Sequence, residues 1–197
     1  MDLRKERTLK QKTVVLSGLL LLAAGCMMTP AQMAAFTPQN YAKSPSFDSQ
    51  PTWRTAVLPP ALATSAADAP TGGLYDYASM ALMRTGRFTV VDRAAVDKLL
   101  AEQEFSFSGV VDPASAARLG RMLGAEAVML ISISSLKHDE FFSDSPDYRA
   151  AQLYVRLISV ETSEVLYSAQ GESSSFEGAS DALQGALQMA LVGVNRP

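Results

Sequence analysis

The chain has 197 residues, of which 48% are apolar, with 17 Lys and Arg against 20 Asp and Glu and only one His and one Cys. A single cysteine forbids an intramolecular disulfide. A net charge of −3 argues against nucleic acid as the partner.

The chain opens with Arg4, Lys5, Arg7, Lys10 and Lys12, then runs apolar from Val14 to Ala24 apart from Ser17, and reaches Ala24-Gly25-Cys26. A basic start, a short apolar stretch and small residues before a cleavage point describe a secretory signal over residues 1–25. The apolar run is too short for a permanent membrane helix. Leu22-Ala23-Ala24-Gly25-Cys26 resembles a bacterial lipoprotein signal, with the usual Leu one place early. That resemblance implies that Cys26 becomes the mature N-terminus and carries acyl chains (palmitate among them). The alternative is an ordinary signal with an incidental thiol. Each buried acyl methylene adds about 0.8 kcal/mol of membrane affinity, so several chains anchor firmly. Met27 follows the cysteine, with no Asp to retain the protein at the inner membrane. The expected location is the periplasmic side of the cell outer membrane. Removing residues 1–25 takes away five basic and two acidic residues, leaving twelve against eighteen and a net charge of −6.

Residues 26–51 are rich in Pro, Ser, Thr, Gln and Asn without a helical or strand period, and read as a flexible tether. Phe36, Tyr41 and Phe47 are its aromatic exceptions. Residues 52–197 are long enough for one compact core and read as a single αβ domain. Thr55–Leu58 reads as a strand closed by Pro59-Pro60. Leu74, Tyr77, Ala78, Ala81 and Leu82 fall at helical spacing, and Thr85-Gly86 ends that helix. Phe88–Val91 is a strand by its β-branched and aromatic residues. Val96, Leu99 and Leu100 then form a helical face. Asp112-Pro113 marks a helix start, lined by Ala116, Leu119 and Leu123. Ala127–Ile133 reads as a buried strand. Ala151–Val160 alternates with Leu153, Val155 and Leu157 on one face, and turns through Glu161–Glu164 into Val165–Tyr167 as an antiparallel hairpin. Leu183, Leu187, Ala190, Leu191 and Val194 make the last helix. The fold class is α/β (α+β): a mixed sheet of about five strands packed against helices.

Catalysis needs groups that converge. Lys137-His138-Asp139-Glu140 holds the lone His but offers no second ligand pair, so a solvated loop is the better reading. No Gly-x-Ser-x-Gly elbow is present to make Ser chemistry with His138. Gly72-Gly73 precedes a helix without the Lys-Ser/Thr of a phosphate loop. Asp92 is placed to cap the helix that begins at Arg93. Asp97 falls on that helix's exposed side, and Glu102 and Glu104, two apart, cannot share a helical face. Ser173-Ser174-Ser175-Phe176 reads as loop and N-cap before the last helix. No catalytic, metal or cofactor residue is expected; Cys26 is the one site, for lipid.

Gly86 to Ser134, "GRFTVVDRAAVDKLLAEQEFSFSGVVDPASAARLGRMLGAEAVMLISIS", resembles the CsgG-type lipoprotein domain family. That family shows a strand ending in Val-Asp/Glu-Arg, a Leu-Leu-x-Glu-Gln helix, Gly-x-x-Asp, a Leu-Gly-x-x-Leu-Gly-Ala helix and a strand. Ala150 to Glu172, "AAQLYVRLISVETSEVLYSAQGE", resembles its following hairpin, with Ser163 where a turn Gly is common. The resemblance implies a non-enzymatic, lipid-anchored periplasmic protein. In the curli secretion channel two membrane-spanning hairpins follow the strand and the hairpin. Here residues 136–148 and 173–181 leave no room for them, since each spanning strand needs roughly 9–11 residues. The expected role is an accessory or assembly lipoprotein in secretion of a surface polymer (curli-like) or envelope biogenesis. Its partners are an envelope protein or further copies in a homo-oligomer. The alternative is a regulator of the kind that activates peptidoglycan synthases. A tether of about 25 residues reaches only some 25–30 Å as a random coil, which favours action near the outer membrane. A periplasmic hydrolase is the remote third class, to be revived by an activity that Glu102→Ala or His138→Ala abolishes.

Overall fold

The computed structural model describes residues 40–102, 112–138 and 147–195. Cys26, Glu104, Asp139 and Glu140 lie outside the described residues, as does Phe36. Residues from Asn40 onward pack as one unit. Its strands are β1 (Tyr41–Lys43), β2 (Trp53–Val57), β3 (Ala61–Leu62), β4 (Phe88–Val90), β5 (Ala127–Lys137), β6 (Arg149–Ser159) and β7 (Val165–Ser175). Its helices are α1 (Thr71–Arg84), α2 (Arg93–Glu102), α3 (Pro113–Met122) and α4 (Ala179–Leu191).

The strands form one open mixed sheet in the order β1-β7-β6-β5-β2-β4, with β3 beside β5. β2 runs parallel to both β4 and β5. From β5 onward the ladder is antiparallel, as the short β6–β7 turn requires. That turn is closed by Ser163, whose φ of 61° lies in the left-handed region where the related hairpins place glycine.

The mixed αβ class holds, with seven strands among the described residues where about five were expected. The added strands are short. β1 also moves the start of the packed domain: residues 40–51, expected to be tether, belong to the fold. Tyr41 pairs with Ala169, and Phe47 is fully buried against the rings of Phe88 and Tyr167. Trp53 Nε1 donates to the Phe47 carbonyl at 3.1 Å. Burying one large side chain contributes roughly 1.5–3 kcal/mol, and ladder bonds satisfy the backbone beside it, so two aromatics suffice to dock a stretch of otherwise polar composition.

The other corrections are at strand ends. β5 reaches Lys137 and β7 reaches Ser175, because each continues to pair with β6 past its apolar part. Ser173–Ser175 is therefore ladder, not loop and cap. The residue that caps α4 is Gly178, without a side-chain bond. Helix starts follow the sequence closely. Asp112 accepts from the amides of Ala114 and Ser115, and Asp92 Oδ1 accepts from the Ala94 amide at 2.6 Å.

Two apolar clusters sandwich the sheet. The larger lies beneath α1 and α4 and takes Met129, Ile131 and Ile133 from β5, Leu153, Val155 and Leu157 from β6, and Tyr167 and Ala169 from β7. The smaller lies beneath α2 and α3 and takes Ala56, Val128, Leu130 and Ile158. It reaches only one end of its face.

Candidate functional site

The alternation of β6 positions the most distinctive surface of the molecule. Leu153, Val155 and Leu157 point into the larger cluster, so Gln152, Tyr154 and Arg156 must point to the other face. There α2 and α3 cover only the stretch around Ile158. Tyr154 is left 42% exposed, directly between Ser132 of β5 and Gln170 of β7. One register step further on, Gln152 stands between Ser135 and Glu172. Gln152 Nε2 donates to Glu172 Oε1 at 2.6 Å, and Gln170 Nε2 donates to the same oxygen. Ser134 Oγ lies 3.0 Å from the Gln152 side-chain oxygen. The result is a polar, ordered sheet face that ends in a shallow groove of about 490 Å³, lined by Ser135, Lys137, Gln152, Glu172 and Ser174 among others.

A second cleft of about 430 Å³ lies at the opposite end of the meander. Three of its charged groups are committed to partners at the strand ends. Arg121 Nη1 donates to the Val160 carbonyl at 2.8 Å, Glu126 accepts from the Arg54 amide at 2.8 Å, and Glu164 accepts from the hydroxyls of Ser44 and Ser46. Carboxylates held in this way serve the strand ends.

Among the described residues, the acids singled out in the sequence do not converge. Asp92 caps α2. Asp97 pairs with Arg93 at 3.4 Å, and the same arginine reaches Asp76 at 3.0 Å. Those bonds, that to Asp76 first, push the Arg93 pKa up. Glu102 lies 3.9 Å from Lys98 in an exposed helical pair. Gly72 and Gly73 lie in the first turn of α1. His138 follows the last residue of β5; its Nδ1 is 2.9 Å from Arg149 Nη1 and 3.0 Å from the Tyr148 carbonyl, a contact that closes the β5–β6 end. Phe176 is 59% exposed and packs at a tilt against Tyr148 with ring centroids 4.9 Å apart. Among the described residues no group of three His, Cys, Asp or Glu could hold a metal, and no helix is long and apolar enough to cross a membrane.

One arginine organises the segment that leads into the domain. The Arg87 guanidinium lies over the Phe47 ring at 4.5 Å and bonds Asp48 at 2.7 Å. It also donates to the carbonyls of Phe47 and Gln50 at 3.3 and 3.4 Å, and to that of Val194 at 3.4 Å. The bond from Arg87 is the main cause that holds the Asp48 carboxyl below its ordinary pKa. Arg87 thus ties both the entry and the exit of the domain to β4. Nothing in the spacing of the sequence marks it, because its partners are up to 107 residues away.

Residues 48–187 match the family model described as curli production assembly/transport component CsgG. No curated protein matches the chain by sequence. Among solved structures, the PelC dodecamer from Paraburkholderia phytofirmans aligns with a TM-score of 0.50 and 15% identity, over 80% of this chain and 96% of that one. The C-terminal domain of LpoB from Salmonella enterica aligns at 0.44 and 19% identity, over 62% and 83%. Lipoprotein GNA1162 from Neisseria meningitidis aligns at 0.45 and 18% identity, over 72% and 92%.

Proposed function

From the premise that the chain belongs to the CsgG family, we propose that it is a non-enzymatic accessory lipoprotein of the cell envelope, anchored through Cys26 to the periplasmic side of the outer membrane. It works there by binding an envelope protein engaged in exporting a surface polymer. The observation that carries the non-channel part of this reading is the length of two connections. Residues 138–148 join β5 to β6, and residues 176–178 join β7 to α4. These are the places where the related channel inserts membrane-spanning hairpins, and each hairpin would need two strands of about 9–11 residues. With no pore supplied there, what the domain presents is surface: an open polar sheet face whose side chains bond one another. Such a face suits protein recognition.

The test is a pull-down from crosslinked membranes with the acylated chain, compared with Cys26→Ser. Recovery of a polymer-export component by the wild type, with less surface polymer when the gene is deleted, is the expected result. Recovery of a cell-wall synthase instead would replace this role with the synthase-activator one. A Cys26→Ser protein that stays on the membrane with unchanged processing would remove the lipid anchor from the reading.

A further inference from the structure

We propose that the outer edge of β7, from Glu172 to Ser174, receives an extended segment of another protein as an added antiparallel strand beside α4. The described residues use this edge only in part. β1 covers Tyr167–Ala169, and the ladder ends at Asn40, whose carbonyl accepts from the Gln170 amide at 2.8 Å while its Nδ2 donates back to the Gln170 carbonyl. In an antiparallel ladder the outward groups recur every second residue. Glu172 and Ser174 therefore aim their N–H and C=O away from β6, and both residues are exposed. No described residue bonds these groups. Continuing the β1 register would set Pro38 opposite Glu172, at the position that must donate next, and proline has no N–H. Pairing continued in that register would lack this donor, and among the described residues the rest of the edge is left as a template for another strand.

α4 shapes this edge into a slot. The helix runs back over β7 so closely that a Cβ on Gly171 would lie 1.8 Å from the Ala186 carbonyl oxygen. A Cβ on Gly185 would lie 2.4 Å from Ser173 Oγ. One turn on, Met189 is half exposed, and its carbonyl is 3.3 Å from Asn40 Nδ2, above the line of β1. A strand extending that line beside Ser173 passes along the flank of α4, where Ser173 Oγ packs onto Gly185 and Met189 supplies an adaptable apolar wall. On the other face it passes Glu172. A residue opposite Ser173 points toward α4 and favours an apolar side chain; one opposite Glu172 shares its face and favours Lys or Arg. Affinity then comes from main-chain bonds and selectivity from alternate side chains, the mode of strand-addition domains.

The proposal rests on the reading of the domain as a protein-binding module. The probe that tests it is independent of which partner the membrane pull-down recovers. The full chain is titrated with the acetylated and amidated peptide Thr-Val-Lys-Leu-Lys-Val-Thr, and with the same peptide carrying Glu in place of both Lys. Amide hydrogen exchange is followed at Glu172 and Ser174. The lysine peptide should slow both amides at least about tenfold, and the glutamate peptide should bind several-fold more weakly. Ser174→Pro removes an outward N–H without breaking a bond to β6. It should weaken binding about tenfold at unchanged melting temperature. Glu172→Lys should reverse the preference between the two peptides. Absence of protection, or equal binding to Ser174→Pro, overturns the proposal. So does protection present before any peptide is added: if independent of protein concentration the occupant is the chain's own segment, and if concentration-dependent it is a second copy.

Discussion

The two faces of β6 meet opposite fates. Leu153, Val155 and Leu157 are fully buried beneath α1 and α4, whereas on the other face Tyr154 is exposed and Gln152 and Arg156 are half-buried, and α3 covers Ile158. Both faces belong to one strand with one set of backbone bonds, so the difference is a matter of which helices the chain has available to lay on them. Stability is concentrated on the covered face. The open face is released from packing duty, and its polar residues can be chosen for what they bind.

The sharpest way to break this comparison is to lift α4 from the covered face. Gly171→Val places a side chain where Ala186 backbone already sits. It should cost on the order of 5 kcal/mol, close to the whole stability of a small domain, seen as loss of cooperative unfolding in denaturant. Phe47→Ala removes the anchor that closes the same cluster from the entry segment. About 3–5 kcal/mol is expected from the truncation, together with new proteolytic cleavage between residues 40 and 50. If Phe47→Ala leaves both unchanged, the entry segment is not part of the core.

Alkali probes the covered face without mutation. Burial pushes the Tyr75 hydroxyl up from 10.0 to about 12, with the Asp97 charge next in effect, and burial raises Tyr167 as well. Both are protonated in the fold, so their contribution is full below pH 10. It falls as the pH rises from there through about 12, because the unfolded chain ionises first. The denaturant midpoint should be level below pH 10 and drop above it, and Tyr75→Phe should flatten part of that drop. Tyr75→Phe should also raise stability near neutral pH by about 1 kcal/mol, since the Tyr75 hydroxyl is buried with no hydrogen-bond partner among the described residues. The smallest effect belongs to the open face: Tyr154→Ser should stay within about 0.5 kcal/mol. A larger loss would mean that this face is packed after all.

Local signals were readable in advance wherever the physics is local. Asp112 and Asp92 cap helices because a carboxylate accepts from amides two and three residues on. The β6–β7 hairpin follows from alternation and a short turn. Of the acids of the α2 region that the structure describes, Asp92 is a cap and Asp97 and Glu102 form exposed pairs. What could not be read was anything carried by distant partners. Phe47 looked like part of a tether, because the rings of Phe88 and Tyr167 that bury it come from elsewhere in the chain. Ser173–Ser175 looked like loop because polar residues in a ladder give no apolar alternation. Arg87 was invisible as a hub.

Sequence by itself determined the αβ class, the helices, the longer strands and the caps at Asp92 and Asp112, since these depend on the period of side chains and on bonds within a few residues. It also limited the two connections to lengths too short for a membrane-spanning hairpin. Tertiary structure alone decided that, among the described residues, the sheet has seven strands, one of its faces is left half uncovered, and the outer edge of β7 is unpaired beyond Gln170. Those outcomes depend on which long-range surfaces meet. No period within a strand records whether a helix will come to lie on it.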